Sequence, residues 1–394
     1  MNKISKQNFR KKILTYEEKT IMKIILAGGG TAGHINPALA IAGTVKEHIP
    51  DTEVLYIGAK GGMEETLVPK AGYRFIGIEV SGFRRSLSPA SVAHNMATVR
   101  RAVTSGIESK KIIKDFQPDI CIGTGGYVSG PVLQSANRLG IPTLIHEQNA
   151  FPGVTNKMLA RHVRKVMLAN PDAQKHMSAS ADFVVTGNPV RKEIITADKT
   201  TSRKILGLDE RPVVLSFGGS LGAEKINRSV ADYIARSGKD GRYQIIHAYG
   251  KFGKWFPDLL KEKGCDITKC DNLDIREFID NMPICLSASD LVICRAGAMT
   301  VSELQVQGKP AILIPSPNVA ENHQFHNAMS LVNANAGCVI EEKDLTPEKL
   351  TQTVDEMLKD PKKLQEYSHN ARKIAIADAN ERIFSVIKEC VGII

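Results

Sequence analysis

The residues best suited to chemistry in this chain gather at a glycine-rich turn. Gly28-Gly29-Gly30-Thr31-Ala32-Gly33 follows the apolar run Ile24-Ile25-Leu26-Ala27, and His34 comes next. Glycines let backbone N–H groups approach an anion closely, and a helix starting there adds the positive end of its dipole. The same dipole disfavours imidazolium, so a neutral His34 can accept a proton from a sugar hydroxyl. Its other reading is a histidine that helps to cap the helix. Two more turns have the same character, Gly123-Thr124-Gly125-Gly126-Tyr127 and Gly218-Gly219. Any one of them is explained by a tight strand-to-helix turn. Two in corresponding places, with a third beside them, favour a phosphate-bearing ligand.

Several ligand classes drop out. Gly28 to Gly33 formally satisfies G-x-G-x-x-G, but a dinucleotide site also needs an acid at the end of the second strand. That strand ends Tyr56-Ile57-Gly58-Ala59, and the nearest following acid is Glu64. No Gly-Lys-Ser/Thr follows a glycine cluster, which excludes a Walker loop. No two aspartates stand two residues apart, so the Asp-x-Asp device for a metal on a departing diphosphate is missing. No cofactor and no metal are expected. The seven cysteines are scattered without a C-x-x-C pair, which fits a reducing cytoplasm.

These turns need elements to hold them. Short β-branched runs alternate with helix-period segments, the pattern of a parallel sheet covered on both faces. Strands are expected at 23–27, 53–57, 75–79, 120–123, 143–146, 165–168 and 183–186. A second set is expected at 213–217, 244–248, 273–277, 291–293, 311–314 and 338–340. Val213-Val214-Leu215-Ser216-Phe217 into Gly218-Gly219 restarts the plan of the first half, about one domain later. At 394 residues the chain is too long for one ordinary core. The fold class is therefore α/β, with two doubly wound Rossmann-like domains facing across a cleft. The expected domains are a basic leader over 1–20, a first domain over 21–190 and a second over 191–370. A C-terminal helix over 371–394 is expected to pack back on the first domain, and the polar stretch Arg191 to Arg211 reads as the junction.

The formal net charge is +10, and the first twenty residues carry six basic groups against two acids. Aromatic residues are only 5%, and no basic cluster interleaves with them, so nucleic acid is not the expected partner. An acidic small molecule or an anionic membrane surface explains the excess as well. Gly82-Phe83-Arg84-Arg85-Ser86-Leu87 is a candidate membrane loop. The helix after it places Val92, Met96, Val99, Val103 and Ile107 on one side. Between Arg84 and Lys114 there are seven basic residues and one acid, Glu108. No stretch approaches the ~20 apolar residues of a membrane-spanning helix.

At this point the motifs resemble a known family. Gly29-Gly30-Thr31-Ala32-Gly33-His34, Gly125-Gly126-Tyr127-Val128-Ser129-Gly130-Pro131 and His146-Glu147-Gln148-Asn149 look like the MurG glycosyltransferases. So do Gly187-Asn188-Pro189-Val190-Arg191, Gly218-Gly219-Ser220-Leu221-Gly222-Ala223 and Arg295-Ala296-Gly297-Ala298-Met299-Thr300-Val301-Ser302-Glu303. The resemblance runs from about Met22 to the end, in order. It implies a GT-B fold and inverting transfer of GlcNAc from UDP-GlcNAc to the MurNAc O4 of lipid I, giving lipid II. It places the enzyme peripherally on the cytoplasmic face of the bacterial cell membrane, with Phe83, Arg84, Arg85 and nearby basic residues on anionic lipid.

By position, the resemblance puts Thr31, Ala32 and Gly33 on the donor diphosphate and the acceptor side, with His34 as the base. Glu147 and His146 are the weaker bases, since an acid in a strand-end loop often fixes neighbouring backbone. Asn149, Arg191 and Ser220 would contact the donor, and Ile279 would meet the uracil through its backbone. Ala298, Met299, Thr300, Val301, Ser302 and Glu303 would start the helix under the nucleotide, with Glu303 on the ribose hydroxyls. Gln324 would hold sugar hydroxyls of the GlcNAc. One position departs from the family: Ala32 stands where glycine is usual, and a positive φ there would strain it. The rival readings are a UDP-GlcNAc 2-epimerase-like enzyme and a non-enzymatic nucleotide-sugar sensor on the same scaffold.

Overall fold

In the computed structural model, residues 21–82, 89–238 and 241–392 are described. The expected leader over 1–20 and the loop residues Phe83, Arg84 and Arg85 lie outside them. So do the side chains of Val92, Met96, Val99 and Val103.

The chain divides into two compact units. Of the described residues, one contains those up to 148, 152–189 and those from 378 onward, the other 149–151 and those within 190–377. The first unit is built on a seven-stranded sheet in the order β3-β2-β1-β4-β5-β6-β7, parallel throughout. Its strands are β1 (Lys23–Gly28), β2 (Glu53–Ala59), β3 (Arg74–Ile78), β4 (Ile120–Gly125), β5 (Thr143–Glu147), β6 (Lys165–Leu168) and β7 (Phe183–Val185). The second unit has six parallel strands in the order β10-β9-β8-β11-β12-β13. These are β8 (Val213–Phe217), β9 (Gln244–Ala248), β10 (Leu273–Arg276), β11 (Leu291–Cys294), β12 (Ala311–Leu313) and β13 (Gly337–Val339).

The continuous apolar runs follow from burial on both faces. In β1, Ile24 and Leu26 join one core cluster while Ile25 and Ala27 join the other. In β8, Val214 faces one side and Val213 with Leu215 the other.

One expectation from sequence changes. The helical stretch from Ala371 is not one element. Ala371 to Lys373 end the helix Pro361–Lys373 of the second unit, and a separate helix, Ala379–Val391, belongs to the first. That last helix buries Ile383, Phe384, Val386, Ile387 and Cys390 in the cluster that holds Ile24 and Leu26. His48 stacks on Phe384 with ring centroids 3.9 Å apart and meets Glu381 at 3.1 Å. The polar stretch after Arg191, expected as the junction, carries the helices Lys192–Thr196 and Lys199–Leu206. The Asp198 side chain caps the second by accepting from the Thr201 amide, and Gly207 ends it with φ 67°.

Candidate active site

In the first unit the strand order reverses between β1 and β4. Ligands of open parallel sheets bind beyond the strand C-termini at such a switch point. The first and third glycine turns both lie there, with Gly28 in register with Gly125. A Cβ on Gly126, at φ 80°, would strike the carbonyl of Gly29, so the two turns meet backbone to backbone.

His34 sits over this junction, partly buried. Its ring packs on Gly125, where a Cβ would collide with it. Its Nδ1 lies 3.0 Å from the Thr124 carbonyl oxygen, and the Thr124 hydroxyl donates to the His34 carbonyl at 2.7 Å. A carbonyl only accepts, so Nδ1 carries the hydrogen and Nε2 of the neutral ring holds the lone pair. The side chain therefore serves no cap. The N-cap of the helix Ala32–His48 is Thr31, whose side chain makes no capping bond, and the first turn has no acid. Its dipole end is left for another anion. Ala32 begins that helix. Among the described residues the non-glycine ones with positive φ are Gln117, Glu321, Asn322 and Asn335, so alanine is unstrained in this place.

His146 and Glu147 are buried and turned to neighbouring groups. His146 Nε2 faces the Gly187 carbonyl at 2.9 Å, and burial pulls its pKa down. Glu147 accepts from the Gly153 amide at 3.1 Å and from Asn156 Nδ2 at 2.8 Å. Both organise the loop after β5.

In the second unit the order reverses between β8 and β11. Ser220 is exposed in the turn after β8, between Gly219 at φ 93° and Gly222 at φ 85°. The Gly222 amide is spent inside the turn, donating to the Gly219 carbonyl at 3.0 Å. The Ser220 and Leu221 carbonyls accept from Lys251 and Phe252, which welds this turn to the one after β9. After β11, the helix Ala298–Gln307 starts from Gly297 with no side-chain cap and no acid in its first turn. Glu303 lies in this helix with its side chain 17% exposed, and Arg191 Nη2 is 3.9 Å away. Burial pushes the Glu303 carboxyl up to about 7, and the half-exposed Arg191 opposes it only in part. Ile279, after β10, buries its side chain, so it can offer a ligand only backbone. Gln324 accepts from the Ser316 amide through Oε1 at 2.8 Å, which directs its amide nitrogen elsewhere.

The structure thus groups Thr31, Ala32, Gly33 and His34 in one unit. It groups Asn149, Arg191, Ser220, Ile279, the 298–303 segment and Gln324 in the other. Three further residues had no role assigned from sequence. Thr124 orients His34. Asn327 accepts from the Ala150 amide at 3.0 Å and donates to the Asn149 side chain at 3.1 Å and the Ala296 carbonyl at 3.2 Å. Arg295 ties β11 to the loop after β12, donating to the Ile314 and Pro315 carbonyls at 3.1 Å each and pairing with Glu342. Thr124 and Arg295 stand inside motifs already singled out, and Asn327 stands one helical turn after Gln324.

Two family models match the chain. The glycosyltransferase family 28 N-terminal domain covers residues 24–168 and the family 28 C-terminal domain covers 213–383. A relative from Acetivibrio thermocellus is 46% identical over 93% of this chain and 98% of its own. It is named UDP-N-acetylglucosamine--N-acetylmuramyl-(pentapeptide) pyrophosphoryl-undecaprenol N-acetylglucosamine transferase. The crystal structure of Acinetobacter baumannii MurG aligns with TM-score 0.73 at 28% identity, over 93% of this chain and 99% of that one. A UDP-GlcNAc 2-epimerase from Neisseria meningitidis, bound to UDP-GlcNAc, aligns with TM-score 0.60 at 14% identity, over 93% and 100%; this likeness shows a shared fold alone. By its sequence relatives and its two matched domains, this chain belongs to the MurG family of GT-B enzymes, within glycosyltransferase family 28.

Proposed function

We propose that this chain moves GlcNAc from UDP-GlcNAc to the MurNAc O4 of lipid I, forming lipid II with inversion at the sugar. The observation that carries the chemistry is the fixed imidazole of His34, whose Nδ1 is tied to Thr124 and whose Nε2 is basic. Nε2 takes the O4 proton as O4 attacks C1 of GlcNAc. The bond from C1 to the UDP oxygen breaks on the opposite face, and the proton stays on His34. The second unit holds the donor. Amides at Ser220 and the positive dipole end of the helix Ala298–Gln307 meet the charge growing on the leaving diphosphate. Arg191 adds a cation, Glu303 accepts from ribose hydroxyls, Ile279 meets the uracil through backbone, and Gln324 and Asn149 hold the sugar. Of the donor diphosphate and the acceptor side that the resemblance gives Thr31, Ala32 and Gly33, this scheme keeps the second: the first unit takes the acceptor, with these three residues at its diphosphate. No metal takes part at the donor in this scheme.

The test is UDP release from UDP-GlcNAc with and without a lipid I analogue, in EDTA. Acceptor-dependent release that survives the chelator supports the scheme. An epimerised GlcNAc product without acceptor overturns it.

The acceptor lies in a bilayer, and we assign peripheral attachment on the cytoplasmic face to the first unit. Among the described residues no helix is long and apolar enough to cross a membrane. Ile107, in the helix Pro89–Phe116, is 67% exposed near Lys110, Lys111 and Lys114. Anionic headgroups attract such cations by ~1 kcal/mol each. Phe83→Asp combined with Arg84→Ala loses binding to anionic vesicles in this reading, and unchanged binding removes it.

A further inference from the structure

The reaction as described leaves a buried acid beside the first glycine turn without a role. Glu64 opens the short helix Glu64–Lys70 and is fully buried. Its Oε1 accepts from the Ala59 amide at 2.8 Å and its Oε2 from the Gly30 amide at 3.4 Å. One carboxylate therefore links the end of β2 to the turn after β1. Three glycines make the space for it: a Cβ on Gly29, Gly58 or Gly62 would fall on the Glu64 side chain. The Tyr56 hydroxyl, which donates to the Gly28 carbonyl at 3.0 Å, is pushed up by its own burial and then by the negative charge of Glu64.

The geometry points to Glu64 as the resident anion of this turn, a positioning residue that fills the Gly29–Gly30 end and directs an acceptor diphosphate to the helix start at Ala32 and Gly33. Two features force that division. A phosphate set against Gly29 and Gly30 would lie on a buried carboxylate, where like charges repel strongly. The start of the helix Ala32–His48, by contrast, has neither a side-chain cap nor an acid in its first turn. The diphosphate is thereby set beside His34 rather than at the glycines that a dinucleotide would use. This is also the physical reason that the G-x-G-x-x-G pattern does not mark a dinucleotide site: the acid after β2 occupies the turn itself.

The inference rests on the proposed reaction, and the experiment separates the two. Steady-state kinetics of the full chain are measured with a lipid I analogue and UDP-GlcNAc varied independently. If the wild-type chain transfers no GlcNAc to the analogue, the reaction itself is wrong. Given transfer, two variants test Glu64. Glu64→Gln keeps the size but sets an NH2 group against backbone N–H donors. Gly62→Ala keeps the charge but pushes the carboxylate from its seat. Each is expected to raise the acceptor KM about tenfold or more and lower kcat, with the donor KM within about twofold of wild type. A normal acceptor KM and kcat in either folded variant overturns the assignment. So does a defect that falls equally on the donor KM, which would mark general damage. If Glu64→Gln fails to fold, Gly62→Ala decides alone.

Discussion

Nδ1 of His34 lies 3.0 Å from the carbonyl oxygen of Thr124, ninety residues away in the chain. That contact decides which side of the imidazole is basic, because a carbonyl can only accept. Adjacent pairing of β1 and β4 brings the two residues together.

Replacing His34 with alanine should lower kcat about 10²–10⁴-fold, the usual contribution of a general base. Donor KM should stay near wild type, since the proposed scheme gives the donor to residues of the second unit. Equal turnover would reject the base assignment. Thr124→Val keeps the carbonyl but loses the hydroxyl bond to the His34 backbone. It should cost kcat about tenfold through misplacement of the ring.

Glu303 predicts a pH dependence of a particular sign. Burial raises its carboxyl from 4.5 to about 7. Between those values the folded chain binds a proton that the unfolded chain has released, so stability declines as pH rises through the window. Glu303→Gln should flatten that slope in denaturant titrations. If Glu303 holds the ribose as proposed, donor affinity runs the opposite way, because an ionised carboxylate accepts from hydroxyls more strongly. Donor KM should fall as pH rises through about 7 in the wild type and stay level in Glu303→Gln.

Asn327 is buried and holds the Asn149–Ala150 segment from the second turn of the helix His323–Asn333. Asn327→Ala leaves the Ala150 amide and the Ala296 carbonyl without this partner, a cost of about 1–3 kcal/mol in thermal or urea unfolding. Donor KM should rise as well, since Asn149 loses its tether. Asn327→Asp keeps the acceptor for Ala150 but sets a carboxylate against two acceptor oxygens, and should be no better than alanine. A donor KM unchanged in both would separate Asn149 from donor binding.

Phe384 tests the last helix. It is 9% exposed, stacks on His48 and joins the cluster behind β1. Phe384→Ala should cost about 3–5 kcal/mol of stability. A loss much smaller than this would mean that the helix Ala379–Val391 contributes little to that core.

Much of the architecture was legible from local pattern. Every strand expected from an apolar β-branched run forms within two residues of its expected ends, since a strand buried on both faces writes a continuous run into the sequence. The pair of doubly wound units followed from the repeat of strand, glycine turn and helix. Less legible were the helices Lys192–Thr196 and Lys199–Leu206, whose mostly polar residues hid them in a stretch that reads as a junction. The break near Asp378 was hidden too, because helical spacing continues on both sides of it.

The sequence alone determined the family and the fold class, because those rest on residue type and short spacing. It placed His34 after the first glycine turn but could not say which nitrogen is basic. Nor could it say that Glu64 enters that turn or that Asn327 grips Asn149. Only the tertiary structure decided these, because each partnership joins residues from 34 to 178 positions apart, brought together by strand pairing and chain crossing rather than by neighbouring sequence.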